Sequence, residues 1–364
     1  MRLWDRATGK QLHSFEGVKG RPDTRQIDLP EDYVRTVGFS PDGRFVLTCS
    51  WNHARLWDRA TGEQLRSFDD GTQTSAVVNA ASFSPDGRFV LTGGFHDKAE
   101  LWDAATGRLV RSFAGHRSEI NAVAFSPDGS LVLTGDADGT ASLWNVATGQ
   151  QVRSLDVSAK SVDAVAFSPD GRLVWTVSRD GSVGMWDAST GQQLRRLVEH
   201  MDGVFSIALS LDGRLLLTGS LDGTARIWQA ATGRELAALI GFDAGGWAVT
   251  DPEGRYDASD PDSSPGLIWV SDKLRFIELR QLKKRYYTPN LLARTLQGER
   301  LPEVTGLDQV PAPPIVSIAS GLQSGKRTLR LTIQNDGDGV GQVLIKVNHR
   351  LVRALEHPVA PRPW

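Results

Sequence analysis

Cysteine occurs once in the 364 residues, as Cys49. No internal disulfide can form, so nothing in the sequence requires an oxidising compartment. Charge of one sign is also lacking: 41 Lys and Arg face 43 Asp and Glu, a formal net charge of −2. No global field therefore draws the chain to nucleic acid or to an anionic membrane. No apolar run approaches the roughly 18 residues that span a bilayer. The opening MRLWDRATGKQL lacks the apolar centre of a secretory signal. The expectation is a cytoplasmic monomer that engages neither membrane nor nucleic acid.

Tryptophan, by contrast, is abundant, with 11 residues. Six of them begin one motif: Trp, an acidic or amide residue, two further residues, then Thr-Gly. The copies place Trp4, Trp57, Trp102, Trp144, Trp186 and Trp228 five residues before Gly9, Gly62, Gly107, Gly149, Gly191 and Gly233, and from Trp102 onward the spacing is 42. A constant period near 42 means one supersecondary unit stacked repeatedly. Stacked units build surfaces more readily than they build active centres.

Within residues 116–150 the runs INAVAF and SLVLTG have the length and apolar content of buried strands. SPDG between them suits a tight turn. Asp138-Gly139 marks a hairpin into the strand ASLW, and QQVRSLDV supplies a fourth, more polar strand after Thr148-Gly149. Four short antiparallel strands per period make one propeller blade. SPDG recurs at 40–43, 84–87, 126–129 and 168–171, and SLDG stands at 210–213.

These residues resemble the WD40-repeat family over about residues 1–240, and the resemblance implies an all-β propeller. In that family one blade's His, Ser/Thr, Asp and Trp form a hydrogen-bonded tetrad. The matching positions are His116, Thr134, Asp138 and Trp144 in one blade, and His200, Thr218, Asp222 and Trp228 in another. Elsewhere the pattern departs: the blade of Trp186 keeps Thr176 and Asp180 without the His, His96 stands at the Asp position before Trp102, and Asn52 before Trp57. Those three blades are expected to rely more on packing. The recurrence of these His and Asp residues beside Trp reads as scaffold, with no metal, cofactor or catalytic role.

Five blades are complete, and the chain opens with half a unit. WAVTDPEGRYDAS after residue 240 echoes the repeat, and joining it to the opening half-unit predicts six blades; seven blades or an incomplete ring are the alternatives. The expected domains are a propeller over 1–270, a helical connector over 271–309, and a linker with a partial Ig-like β-sandwich over 310–364. Two helices are expected around Pro289, with Thr288 as the cap of the second. The order of these parts resembles bacterial proteins in which a propeller and an Ig-like module accompany a caspase-like protease. A Cys nucleophile for such chemistry would have to be Cys49, which sits in the central-strand pattern FVLTCS. GLQSGKRT at 321–328 has the wrong spacing for a phosphate loop, and Asn335–Gly339 lacks the later Glu of a calcium loop.

Two rings of positions are candidates for binding. The residue before the hairpin Asp varies as Trp51, Phe95, Ala137, Arg179 and Leu221, while the turns around it repeat almost letter for letter. Exposed aromatics and Arg dominate interfaces. At the start of the innermost strands Arg35, Asn79, Asn121, Asp163 and Phe205 are expected to line the mouth of the axial channel. That set is poor in the carboxylates and His a metal hydrolase needs. The expected function is a non-catalytic protein-interaction scaffold whose partners are other proteins. The regulatory arm of a caspase-like protease is the nearer alternative, and a propeller hydrolase the more distant one.

Overall fold

The repeated turns set where the strands stop. In the first of them the Gly43 backbone N–H donates to Ser40 O (2.8 Å), and the Ser40 hydroxyl donates to Asp42 Oδ1 (2.6 Å) while accepting from the Phe45 N–H (2.9 Å). The same bonds recur at Ser84, Ser126, Ser168 and Ser210. Gly43 has φ of 67°, a left-handed conformation that glycine adopts without strain. The computed structural model describes residues 2–14, 34–50, 53–68, 77–95, 97–198, 200–242, 245–262 and 283–304, and the backbone alone at 268–270, 276–282, 315–323, 326–334, 343–347 and 350–355.

β1 (Arg2–Trp4) and β2 (Gln11–Ser14) pair as a two-stranded antiparallel sheet. Blade one comprises β3 (Val34–Phe39), β4 (Phe45–Ser50), β5 (His53–Asp58) and β6 (Gln64–Phe68). Blade two comprises β7 (Val78–Phe83), β8 (Phe89–Gly94), β9 (Lys98–Asp103) and β10 (Leu109–Ala114). Blade three comprises β11 (Ile120–Phe125), β12 (Leu131–Asp136), β13 (Thr140–Asn145) and β14 (Gln151–Asp156). Blade four comprises β15 (Val162–Phe167), β16 (Leu173–Ser178), β17 (Val183–Asp187) and β18 (Gln193–Leu197). Blade five opens with β19 (Val204–Leu209), β20 (Leu215–Ser220), β21 (Thr224–Gln229) and β22 (Arg234–Gly241). Within each blade the strands bond in chain order.

The core lies between blades. Leu47 and Cys49 of blade one pack with Val90 and Trp102 of blade two. Leu91 of blade two meets Ile120, Val132 and Trp144 of blade three, and Leu133 meets Val162, Val174 and Trp186 of blade four. Trp175 closes the series against Val204, Leu216 and Trp228 of blade five. The sheets approach so closely that a methyl group at Gly135 would lie 2.6 Å from Val162 Cγ1. Each blade thus depends on its neighbours, as repeat architectures do.

The sixth blade expected from WAVTDPEGRYDAS does not form; among the described residues there are five complete blades. β23 (Trp247–Thr250) and β24 (Tyr256–Ala258) instead extend blade five to six strands, β23 pairing with β22. Two local causes are visible. The Phe242 N–H donates to Gly246 O (2.9 Å) and the Gly245 N–H to Phe242 O (2.9 Å), so the chain reverses into a hairpin. β22 also reads RELAALIG where the outer strands of blades three and four read QVRSLD and QLRRL. Its apolar edge is one a further strand can bury, and Ala237, Ala248 and Val249 are buried there.

Residues 1–252, 256–259 and 289–299 form one compact unit, and 253–255, 260–288 and 300–364 a second. In the first unit α2 (Leu291–Leu296) lies beside β22, β23 and β24, so the second expected connector helix belongs with the propeller. Thr288 is not its cap. The helix starts after Asn290, whose φ is 58° and whose backbone N–H donates to Asp257 Oδ2 (2.7 Å). The second unit contains β25 (Ile268–Val270) paired with β26 (Phe276–Glu278), then α1 (Leu279–Tyr286). It continues with β27 (Ile315–Gln323) paired with β28 (Lys326–Gln334) and β29 (Val343–Val347) with β30 (Arg350–Leu355). Residues 321–323 and 326–328 of GLQSGKRT therefore lie in two paired strands and not at a strand-to-helix turn. The expected packing of these strands as a sandwich concerns side chains outside the described residues, as does the segment Asn335–Gly339.

Candidate functional site

Every complete blade ties its Trp to its second strand. The indole N–H of Trp57, Trp102, Trp144, Trp186 and Trp228 donates to the hydroxyl of Thr48, Thr92, Thr134, Thr176 and Thr218 respectively, at 2.8–2.9 Å. In blade five the relay continues: His200 Nε2 lies 2.8 Å from Thr218 Oγ1, and His200 Nδ1 lies 2.8 Å from Asp222 Oδ2. Because the indole can only donate and the carboxylate only accept, the Thr218 hydroxyl accepts from Trp228 and the His200 Nδ1–H donates to Asp222. Burial works against the charged carboxylate of Asp222. Hydrogen bonds from the Thr224 hydroxyl, His200 and the backbone N–H groups of Thr224 and Met201 outweigh it and hold the pKa at about 2.

Blade three corrects the expected tetrad. His116 Nε2 lies 2.5 Å from Thr134 Oγ1, but its Nδ1 bonds Asp136 Oδ2 (2.7 Å), not Asp138. GDADG offers two carboxylates. Asp136 ends β12 and is buried, whereas Asp138 is exposed on the turn. Asp136 Oδ1 also accepts the Thr140 N–H (2.8 Å), as Asp222 Oδ1 accepts that of Thr224 (2.9 Å). One buried carboxylate thus satisfies both the imidazole and the turn, leaving Asp138 without a role in the relay. Blade four has a substitute: Ser158, 42 residues after His116, donates to Asp180 Oδ2 (2.9 Å), which also accepts Arg196 Nη2 (2.7 Å). Asn52 and His96 lie outside the described residues.

Antiparallel order sorts the loops. The turns joining first to second and third to fourth strands share one face; the hairpins joining second to third strands share the other with the loops between blades. On this second face the candidate rim is built by one repeated bond. Backbone N–H groups of Phe95, Ala137, Arg179 and Leu221 donate to Val77 O, Glu119 O, Ser161 O and Gly203 O at 2.9–3.0 Å. Phe95 and Leu221 are exposed, Ala137 is half-buried and the Arg179 side chain is mostly exposed. Trp51 lies outside the described residues. Met201, which sequence reasoning passed over, is almost fully exposed on the loop into blade five, where its N–H donates to Asp222 Oδ2 (3.1 Å).

The residues expected at the channel mouth are brought together, but as partners of one another. Arg35 donates to Asn79 Oδ1. Asn79 Nδ2 donates to Asn121 Oδ1 (3.2 Å) and to Ile120 O (3.2 Å), and Asn121 Nδ2 to Ser161 Oγ (2.9 Å). Ser161 donates to Asp163 Oδ1 (2.8 Å), and Asp163 accepts Arg179 Nε and Nη2, both at 3.2 Å. The Arg179 guanidinium lies 5.4 Å from the centroid of the Phe205 ring. A polar belt therefore crosses all five innermost strands. Bonds between blades (Arg35–Asn79, Asn79–Asn121, Asn121–Ser161) alternate with bonds inside blade four (Ser161–Asp163, Arg179–Asp163), so these side chains hold one another. Ser161 was not signalled by the repeat, since its counterparts are Val77, Glu119 and Gly203.

Among the described residues no group of three or more His, Cys, Asp or Glu could hold a metal ion. Cys49 is fully buried in β4, its thiol donating to Val78 O (3.3 Å), and burial pushes its pKa up to about 11. No described helix is long and apolar enough to cross a membrane. The model of the WD domain, G-beta repeat, matches residues 24–58, 62–103, 107–145, 149–187 and 191–229, just over half of the chain. A search of curated proteins finds no match. Five family matches, each ending on the last residue of the third strand of a complete blade, establish that the chain belongs to the WD40 family.

Proposed function

We propose that this chain is a non-catalytic, cytoplasmic scaffold that binds another protein on the face carrying the second-to-third-strand hairpins. WD40 domains generally mediate protein–protein interactions, and the observation supporting this face is the repeated backbone tie at the rim. It holds four hairpins in one geometry while the side chain at the tied position changes from Phe95 to Ala137, Arg179 and Leu221. A rigid backbone presenting varied anchors lowers the ordering cost of binding. The opposite face repeats SPDG and Thr-Gly turns too uniformly to discriminate partners. A second reading, the regulatory arm of a caspase-like protease, is supported by the run of helices and paired strands that follows the propeller.

The test compares proteins captured from cells by the wild type, by a rim variant (Phe95→Ala with Met201→Ala), and by an opposite-face variant (Arg44→Ala, Arg88→Ala and Arg172→Ala). Interface anchors carry roughly 2 kcal/mol or more each, so the rim variant should lose its partners and the other keep them. The reverse result would place binding on the wrong side of the propeller. Recovery of a caspase-like protease among the rim-dependent partners would favour the second reading.

A further inference from the structure

Four seams lie between consecutive complete blades, and hydrogen bonds cross three of them. Between blades one and two Arg35 donates to Asn79, the Cys49 thiol to Val78 O, and Arg66 Nε and Nη2 to Ala105 O (3.2 and 2.9 Å). Blades two and three are tied by Asn79 Nδ2 to Ile120 O and Asn121 Oδ1, and by Arg111 Nη1 to Thr148 O (3.0 Å). At the third seam Asn121 Nδ2 reaches Ser161, and Arg153 Nε and Nη2 reach Ser189 O (3.1 and 2.8 Å). One set of ties thus lines the innermost strands, and another runs from each fourth strand to the turn after the next blade's Trp.

The fourth seam has neither set. Among the described residues no hydrogen bond runs from β15–β18 to β19–β22. Gly203 stands where Ser161 stands one blade earlier, so it offers no hydroxyl to Asp163, which is bonded by Arg179 of its own blade. Arg195, the counterpart of Arg153, lies over Gly233 but makes no hydrogen bond to that turn. What remains is apolar: Trp175, Val177 and Met185 of blade four pack on Val204, Leu216 and Trp228 of blade five, and the Arg179 guanidinium meets the Phe205 ring. Trp175 adds a cost. It replaces the Leu47, Leu91 and Leu133 of blades one to three, is fully buried, and its indole N–H has no acceptor among the described residues. An unpaired buried donor weakens the closed seam relative to one that water can enter.

We propose that the seam between blades four and five is a joint that opens while both blades stay folded. The strand ladders of the two blades and the Trp186–Thr176 and Trp228–Thr218 bonds all lie on one side of it or the other, so opening leaves them intact. Only apolar packing and one cation–ring contact are broken, and the Trp175 N–H gains access to water. Opening also moves Leu221 away from Arg179, so the spacing of these two rim residues follows the state of the joint. The inference does not rest on the binding role proposed for that rim.

Each seam carries its own reporter. Trp102, Trp144, Trp186 and Trp228 occupy one position in successive blades, face the four seams in that order, and are each at most 5% exposed. Trp144 and Trp228 also share the His relay. The experiment is pulsed hydroxyl-radical oxidation of the intact chain in urea below the unfolding transition, read residue by residue by mass spectrometry, with hydrogen exchange of the strand amides alongside. Because opening free energies differ between parts of one fold, Trp228 and Trp175 should be oxidised roughly tenfold faster than Trp144 and Trp186, while the amides of β20 and β21 stay protected. Asn79→Ala with Arg111→Ala strips the side-chain ties from the second seam and should bring Trp144 up towards the rate of Trp228. Arg111→Ala alone, with a smaller rise, serves where the double variant does not fold. Equal rates at Trp228 and Trp144 in the wild type overturn the proposal. So does loss of β20 and β21 protection in step with Trp228 oxidation, which would mean that blade five unfolds, and so does a Trp144 rate that the substitutions leave unchanged.

Discussion

Asp136→Ala and Asp138→Ala differ by two residues and should differ several-fold in cost. Asp136 is buried and accepts three bonds: His116 Nδ1–H at 2.7 Å, the Thr140 N–H at 2.8 Å and the Asp138 N–H at 3.1 Å. Removing the carboxylate strands a buried imidazole donor, which costs about 1–3 kcal/mol. The two turn amides can recruit water and add about 0.5 kcal/mol between them. The expected loss is therefore about 1.5–3.5 kcal/mol. Asp138 is exposed and makes no side-chain bond in the relay, so its loss should stay within about 0.5 kcal/mol. Asp222→Ala, which removes the equivalent carboxylate of blade five, should resemble Asp136→Ala. Urea denaturation followed by tryptophan fluorescence gives the comparison, with unchanged slopes required of all variants. Equal losses at 136 and 138, or the larger loss at 138, would refute the relay.

Acid should weaken the fold in a defined window. Asp222 is held at about 2, below an ordinary value of 3.8, so its contribution is complete above about pH 4 and is lost as pH falls towards 2. The turn residues Asp42, Asp86, Asp128, Asp170 and Asp212, each lowered chiefly by its Ser hydroxyl, act in the same direction. Melting temperatures measured between pH 5 and 2 should fall most steeply below 4, and less so in Asp222→Asn; a rise on acidification would contradict the assignment. Cys49 should resist a thiol-specific disulfide reagent at pH 8 until the chain unfolds, since its thiol is fully buried with a pKa near 11; prompt reaction of the native chain would show that β4 is not where we place it. The purified chain should hydrolyse no peptide, ester or lactone, and turnover abolished by Cys49→Ser would reverse the non-catalytic assignment.

The blades were legible because their information is local and repeated. SPDG, Asp-Gly and Thr-Gly fix turns within four residues, and apolar runs between them have one strand's length. What failed depended on choices the period cannot make. Two carboxylates in GDADG fit the relay by spacing, and only burial at the end of β12 selects Asp136 over Asp138. WAVTDPEGRYDAS carries the repeat's pattern, yet a glycine reversal at Gly245–Gly246 and the apolar edge of β22 send it to the outside of blade five. Counting set Arg35, Asn79, Asn121, Asp163 and Phe205 at one position of the five first strands, but not the contacts among them. Whether Asn79 and Asn121 point at a ligand or at each other depends on side chains from different blades, and Ser161 joins them without any recurring signal. Ser158 taking the place of a missing His in blade four is likewise invisible to a motif that names only the His.

Each complete blade seals its Trp in the core and ties it to a Thr of its own second strand, and the rest of the account depends on this arrangement. Hydroxyl-radical footprinting read by peptide mass spectrometry tests it at six equivalent side chains in one experiment. Trp4 should be oxidised rapidly, while Trp57, Trp102, Trp144, Trp186 and Trp228, each at most 6% exposed and bonded to a Thr hydroxyl, should be protected. Protection of Trp4 equal to that of Trp144, or oxidation of Trp144 as fast as that of Trp4, would contradict the account.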